Sequence, residues 1–383
     1  MTALAESDQT AMNSLPTRST DRRRFLMNTA AALTVPTAAG LLGAVAPGTA
    51  HADVGQADVG HADAAPSGLP DFAPVPAEAF GPALNADRYY VGRISGDLYW
   101  VTDGYYQAMF LSTARGVVVV DAPPTIGHNL LRAVDDVTRA NGRPAKVTHI
   151  VYSHSHADHI GAAALLGDSD TVRIAHVDTA RALARDADPR RPVPTVTFTR
   201  RHEVEAGGEH LLLEYHGPNH APGNIFIHVP AHDTLMVVDV LFPGWVPFGN
   251  LGFSQDVPGW VAAHQTALDY PWQTLVGGHL GRLGSRSDAE TQLAYVSDLK
   301  SSTPAAIASL DPTEFFAKYG PTGNAWAIFK TYLSAVAEAA AAPVVAKYTG
   351  VLGAADVYTI DNAYTMLESL RIDGDVLGPF GIR

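Results

Sequence analysis

Residues 153–159 read S-H-S-H-A-D-H and are the densest chemistry in the chain. They follow Val147–Tyr152, which reads as a strand buried on both faces. His154 and His156 stand two apart on extended backbone, so both imidazoles leave on one side. Asp158 and His159 come as the chain turns into a helix and enter the same space from another direction. Three imidazoles and a carboxylate between positions 154 and 159 suit a borderline metal such as zinc. The competing reading is a polar strand-to-helix turn with Asp158 as its N-cap. That reading suits a lone histidine; a cluster this dense, directly after a buried strand, points to metal.

Working outward, strand-like and helix-like segments alternate. Tyr89–Ile94, Leu98–Thr102, Gln107–Ser112 and Gly116–Asp121 form a meander with Gly and Asp at its turns. Val117–Val120 is a continuous β-branched run, the mark of a second doubly buried strand. Leu130, Leu131, Val134 and Val137 predict an amphipathic helix. A helix over His159–Leu166, a strand over Val172–His176 and a further helix come next. Strands over Leu211–Tyr215, Asn224–Val229 and Thr234–Asp239 complete the pattern. It predicts an α/β chain with two sheets and helices outside them.

The H-x-H-x-D-H run resembles the signature of the metallo-β-lactamase superfamily, and further signatures follow in order. Asp121 closes the run V-V-V-V-D and resembles the family's early aspartate beside the metal ligands. His220 lies in G-P-N-H-A-P-G-N, Asp239 in V-V-D-V-L-F and His279 in V-G-G-H-L-G. The resemblance spans about residues 86–283. It implies the αββα sandwich of that family with a helical C-terminal extension, and two metal ions. His154, His156 and His220 would hold one ion, Asp158, His159 and His279 the other, and Asp239 would bridge them. A ligand set of nitrogen and oxygen suits Zn2+, two per chain, while leaving iron, manganese or cobalt open.

The activity so implied is hydrolysis, with a metal-bridging hydroxide attacking a carbonyl carbon. Asp158 is the candidate catalytic residue, moving a proton to the leaving group. The absence of cysteine excludes the family members with a cysteine ligand. Asp239 and the H-x-x-G form at His220 are more similar to glyoxalase II and the lactonases. Some lactonases carry a tyrosine three residues after the bridging aspartate, where this chain has Phe242. The leading substrate is a lactone or other carboxylic ester; a β-lactam or organophosphate is the alternative within hydrolases. An iron-dependent thiol or persulfide oxygenase is the alternative of another class. Phe242, Trp245 and Phe248, in a loop rich in aromatics and prolines, and Tyr105 and Tyr106 are candidate substrate contacts. Packing of the loop aromatics onto the C-terminal helices is an equal reading.

Composition sets the frame. The chain has 383 residues, 46% hydrophobic and 17% charged, enough apolar material for a large core. A net charge of −13 gives no electrostatic footprint for nucleic acid, so the expected partner is a small-molecule substrate. Zero cysteines also exclude disulfides, cysteine nucleophiles and iron–sulfur clusters. Residues 1–52 read as an export signal: Arg22-Arg23 with Phe25-Leu26 resembles the twin-arginine type, and Ala50-His51-Ala52 is an A-x-A cleavage site. The expected product is periplasmic or extracellular, cleaved near Ala52, with no stable membrane anchor. Residues 53–84 read as a low-complexity linker, 85–285 as the metal-binding domain and 286–383 as the helical extension. Trp326, Phe329, Leu333 and Val336 recur at helical spacing, as do Val357, Ile360, Tyr364 and Leu367. These helices are expected to pack on the main domain, with a cover for the site's edge and a homodimer contact both open. His128, His149, His176, His202, His210, His216, His228, His232 and His264 are read as surface or capping residues, with His216 a possible neighbour of the metal ligands.

Overall fold

The computed structural model describes residues 69–374 and Val376. The expected export signal, its cleavage site and residues 53–68 of the expected linker lie outside the described residues. Among the described residues, twelve strands form two sheets. The first runs in sequential order: β1 (Tyr90–Ser95), β2 (Leu98–Thr102), β3 (Gln107–Thr113), β4 (Gly116–Val120), β5 (Val147–Val151), β6 (Val172–His176) and β7 (Val196–Phe198). β1 to β4 are the antiparallel meander; β4 to β7 are parallel. Parallel neighbours need crossovers, and the helix His128–Asn141 supplies the first. The second sheet contains β8 (Arg201–Ala206), β9 (Glu209–Glu214), β10 (Phe226–Val229), β11 (Thr234–Val237) and β12 (Thr274–Val276), in the order β12-β11-β10-β9-β8.

Side-chain alternation along β4 shows how the layers assemble. Val118 and Val120 point into the space between the sheets, against Leu213, Ile227, Met236 and Val238. Val117 and Val119 point the other way, onto Leu130, Ala133 and Val134 of the first crossover helix. Each fully buried valine contributes roughly 1.5–3 kcal/mol relative to exposure, so no register shift by one residue is tolerated cheaply. On the far face of the second sheet, Phe226, Leu235, Val237 and Leu275 pack against the helices Val257–Asp269, Arg286–Ser309, Ala325–Tyr348 and Ala355–Ile372. The layers therefore run helix, sheet, sheet, helix.

Several expectations shift. The helix expected over His159–Leu166 is two short turns, Ala157–Ile160 and Ala163–Leu166. Between them the Ala162 N–H donates to the Ala122 carbonyl (2.9 Å) and the Ala122 N–H to that of His159 (2.7 Å), tying this segment to the end of β4. β7, β8 and β12 are additional. β7 and β12 are only three residues long, and β8 is charged on its solvent side, so neither type carries a strong apolar period. Ala325–Tyr348 is long and apolar enough to cross a bilayer, but Tyr332, Val336, Ala340 and Val344 sit in the core. Trp326 (83% exposed) and Ile360 (46%) face solvent rather than continuing the predicted stripes. In the last helix the buried face is Ala355, Thr359, Asn362, Ala363, Met366 and Leu367. It includes two polar residues because they hydrogen-bond inward.

Residues 69–84 also depart from a linker. The Ala73 N–H donates to Asp356 Oδ2 (2.6 Å), and Trp245 Nε1 donates to the Ala79 carbonyl (3.2 Å). Ala79 is buried. This strap crosses both the aromatic loop and the last helix.

Candidate metal centre

The site gathers where strands of both sheets end. β4 and β5 end side by side, giving Asp121 and the segment Ser153–His159. β11 and β12, also parallel, give Asp239 and His279. His220 lies in the turn before β10. Carboxyl ends of neighbouring parallel strands are the usual place for a ligand crevice in α/β sheets.

Each arm is held by backbone pairing. The Ser153 N–H donates to Asp121 Oδ1 (2.8 Å), and its carbonyl accepts from the Ile225 N–H (3.0 Å). His154 and His156 then project inward, their rings 4.5 Å apart, and His156 caps the turn Ala157–Ile160 that carries Asp158 and His159. Asn219 and Asn224 bond each other across the His220 turn (2.9 Å), and Asn219 Oδ1 accepts from the His220 N–H (2.6 Å). His279 follows Gly277-Gly278. Gly278 has φ +86°, and a Cβ there would stand 2.5 Å from Val238, so the chain reaches the site only with glycine.

Seven predicted ligands converge. His154, His156, His220 and Asp239 form one group and Asp158, His159 and His279 another, with the ligand atoms of each within 4.8 Å of one another. Asp239 faces both. Its Oδ2 lies 3.1 Å from His220 Nε2, 3.1 Å from His159 Nε2 and 3.5 Å from His154 Nε2, and its Oδ1 lies 2.9 Å from His279 Nε2. Within the groups, His220 Nε2 is 2.9 Å from His156 Nδ1 and His159 Nε2 is 3.1 Å from His279 Nε2. Asp158 Oδ2 lies 3.4 Å from His159 Nε2 and 3.7 Å from His279 Nε2.

These residues fit metal ions. His154 Nε2 is buried without a hydrogen-bond partner, an expensive state for a polar atom unless something else satisfies it. Burial, then His220, His159 and His156, hold His154 well below the ordinary histidine range. Burial pushes His220 down to about 4 and also lowers His156. All three are therefore neutral at pH 7, the form that donates a lone pair. Burial opposes charge on His159 too, but Asp239 and then Asp158 outweigh it and raise this imidazole. Burial likewise opposes charge on Asp239, and His159 and His220 hold it well below the usual carboxylate range.

The second nitrogens of the ligand rings are oriented differently from expectation. His154 Nδ1 is 3.0 Å from Ser153 Oγ, and His220 Nδ1 is 2.8 Å from the Gly252 carbonyl. Asp121, expected beside the metal ligands, accepts from the backbone of the ligand loop rather than from a ring nitrogen. Its other oxygen is buried and unpartnered. His216 bonds Tyr270 (2.6 Å) and is exposed, so it is no neighbour of the ligands. His264, read as a surface residue, is fully buried. Its Nδ1 donates to the Trp260 carbonyl (2.9 Å) and its Nε2 accepts from Gln292 Nε2 (2.8 Å). Trp260 Nε1 donates to the Asp239 carbonyl (2.9 Å), and Gln292 bonds the carbonyl of Val240 and the N–H of Phe242. His176, His228 and His232 are buried as well.

Above the ligands opens a cavity of about 680 Å³. Tyr105, Tyr106, Phe242, Trp245 and Phe248 all line it, as the sequence predicted, together with Asp158, Asp239, His156, His220 and His279. Phe242 and Phe248 also pack against the C-terminal helices, so the loop aromatics both line the cavity and join the core. The Tyr106 ring lies 4.7 Å from that of His279, and burial, then Asp158 and Asp239, raise its phenol. Sequence reasoning missed Ala354 and Tyr358, which the last helix and its N-terminus add to the wall. Tyr358 carried no motif; only its position one turn inside an apolar helix hinted at it. None of the described residues lining the cavity is a lysine or arginine. A second hollow, on the other side of His156 and Asp158, contains Arg181, Arg185 and Arg191, each paired with an aspartate.

One wall segment is unusual. Asn250, Leu251, Gly252 and Phe253 all have positive φ (59°, 53°, 66° and 53°), a single left-handed turn closed by Gly252 N–H to the Phe248 carbonyl (2.8 Å). Left-handed backbone costs roughly 1–2 kcal/mol for each non-glycine residue, so the surroundings must enforce it.

The family model described as "Metallo-beta-lactamase superfamily" matches residues 101–303. The 2,4-dinitroanisole O-demethylase subunit alpha of Nocardioides sp. (strain JS1661) is 29% identical over 218 residues. That match covers 56% of this chain and 62% of the relative, so the chain spans about three-fifths of that protein's length. Among solved structures, the metallo-beta-lactamase from Pontibacter korlensis is 22% identical with a TM-score of 0.45, covering 54% of this chain and 97% of that one. The metallo-beta-lactamase IND-7 is 18% identical with a TM-score of 0.45, covering 55% of this chain and 100% of that one. With the family model matched over more than half of its length, the chain belongs to the metallo-β-lactamase superfamily.

Proposed function

We propose that the protein is a binuclear metal hydrolase acting on an uncharged lactone or carboxylic ester with an aromatic or apolar acyl part. The observation that carries this reading is the cavity, with ligand side chains at its floor, aromatic walls, and no lysine or arginine among the described residues that line it. Zinc ions held by the seven ligands would supply a hydroxide nucleophile at neutral pH and Lewis-acid polarisation of the carbonyl. The chain's own residues do the rest. Phe242, Trp245 and Phe248 hold the acyl part and exclude water. Tyr106, kept protonated by its raised phenol, offers an O–H toward the substrate. Asp158, half exposed at the cavity floor, returns a proton through its carboxylate to the departing oxygen. A β-lactam carries a carboxylate that this wall leaves without a cation, which places that class lower. The reading includes export through residues 1–52.

A second reading is favoured by the Nocardioides relative. Its name describes an O-demethylase of 2,4-dinitroanisole, a neutral nitroaryl ether. On this chain the corresponding reaction would be hydrolysis of an activated aryl methyl ether, water replacing methoxide to give a phenol and methanol. The same uncharged aromatic cavity suits it.

Proton release by the zinc-loaded chain separates these readings. The panel contains a long-chain acyl lactone, an aryl ester, a β-lactam, a phosphotriester and a nitroaryl methyl ether. Turnover of the lactone or aryl ester, abolished by His154→Ala, is the expected result. Turnover of the ether alone selects the second reading. Silence with metal bound, and oxygen uptake after iron loading, would replace hydrolysis by thiol or persulfide oxygenation.

A further inference from the structure

Outside the ligands, one buried polar network connects the C-terminal extension to the centre. The left-handed turn at 250–253 ends with a carbonyl, that of Gly252, which accepts from His220 Nδ1 at 2.8 Å. The turn has no glycine at three of its four left-handed positions. Its middle N–H, from Leu251, points away from the cavity and is received by Asn362 Oδ1 at 2.7 Å, fully buried. The Asn362 amide group closes the other end of the turn by donating to the Pro247 carbonyl (2.9 Å). The same amide lies 3.2 Å from the Tyr295 hydroxyl, which in turn meets Thr359 Oγ1 at 3.1 Å. Thr365, one turn along the same helix, donates to the Asn250 side chain (3.2 Å). One side chain thus satisfies both an N–H and a C=O of a strained turn, and it sits on the helix that also lends Tyr358 to the cavity wall.

We propose that Asn362 is a positioning residue for the metal centre: through the 250–253 turn it fixes the Gly252 carbonyl, and so the orientation and tautomer of His220. The proposal rests on the reading of His220 as a metal ligand. A carbonyl that receives one ring nitrogen leaves the other with its lone pair facing the ligand group. If the turn relaxes toward right-handed backbone, this carbonyl moves and His220 loses its orientation. The C-terminal helices are then a working part of the centre rather than an added cover.

The test compares metal binding by the folded full chain, using Zn2+ against a chromophoric chelator and the absorption spectrum of the Co2+ form. Asn362→Ala is expected to weaken one of two bound equivalents about 10–100-fold, the range typical of groups that orient a ligand, and to alter the Co2+ spectrum. Val336→Ala, in the same helical layer without a bond to the turn, should lower Tm but leave affinity and spectrum as in the wild type. Tyr295→Phe retains the packing, removes the hydroxyl that Asn362 and Thr359 share, and should move affinity in the same direction by about threefold; it carries the test if Asn362→Ala does not fold. Wild-type affinity and spectrum in both variants, whatever their Tm, would overturn the proposal while leaving the metal centre intact. Failure of the wild type to bind either ion would overturn the metal reading and this proposal with it.

Discussion

Asp121 and Asp239 occupy matching places in the two sheets. Each follows a buried strand, each turns the chain with φ +61°, and each is almost wholly shielded from solvent. Aspartate tolerates that left-handed conformation better than most side chains. Their charges nevertheless go opposite ways. Burial pushes Asp121 up to about 6, with the nearby His159 opposing it only in part. Asp239 meets burial just as complete, but the imidazoles of His159, His220 and His279 reach its oxygens and hold it well below the usual range. Backbone and burial are shared; the difference lies in what each carboxylate oxygen finds within hydrogen-bond distance. One aspartate is a hub for ligands, the other a brace for the ligand loop.

Removing the hub's charge should have the largest effect. Asp239→Asn is expected to lose metal and to depress kcat/KM roughly a thousandfold or more, because several kcal/mol of charge stabilisation disappear at about 1.4 kcal/mol per factor of ten. Metal content and turnover measured on the same sample decide it; two retained equivalents with a tenth of the activity would remove Asp239 from the bridging place. Asp121→Asn should cost about 10–100-fold in metal affinity, the scale for groups behind the ligands. Equal losses at the two positions would erase the distinction between hub and brace.

The pair also differs in its effect on stability. A carboxyl raised in the folded state favours folding fully below its unfolded value, near 4, and that contribution is lost as pH rises through about 6. The metal-free wild type should therefore lose stability between pH 4 and 6 relative to Asp121→Asn, which stays neutral throughout. Denaturant unfolding at the two pH values measures this. An effect of similar size and opposite sign is expected behind Asp239, at His264. Burial lowers this imidazole to about 4, so its contribution is complete above pH 6.5 and is lost as pH falls toward 4. His264→Gln should flatten that fall by at most roughly 3 kcal/mol. An unchanged slope would mean that His264 is not held neutral.

The ligands were legible because their spacing carries chemistry wherever the fold takes them. S-H-S-H-A-D-H, Asp239 after a buried strand and His279 after two glycines need no tertiary knowledge to be noticed. β4 was equally plain as an unbroken valine run, and β5 as a mostly β-branched one interrupted only by His149. The aromatic loop was legible in composition, and its place at the cavity was not. What stayed hidden depends on pairs far apart in sequence. Asn362 meets Leu251 across 111 positions, and Gln292 meets Phe242 across 50. Before the partner is known, a polar residue on a helix reads as solvated. In N-L-G-F at 250–253, Asn250 and Gly252 suit positive φ, but Leu251 and Phe253 argue against it. Only the packing of the last helix decides the conformation. His264, between alanine and glutamine, offered no sign that both its neighbours in space would be hydrogen-bonding groups.

Trp245 has a consequence for watching the protein at work. Its indole lines the cavity, donates to the Ala79 carbonyl and packs flat over Gly353, where a Cβ would meet the ring at 2.6 Å. Trp100, Trp260 and Trp272 are buried and do not line the cavity, and Trp326 is 83% exposed. A molecule entering the cavity would therefore quench one emitter out of five, the one set between solvent red and core blue. The chain carries its own optical gauge of occupancy, with Trp326 as an internal reference open to water.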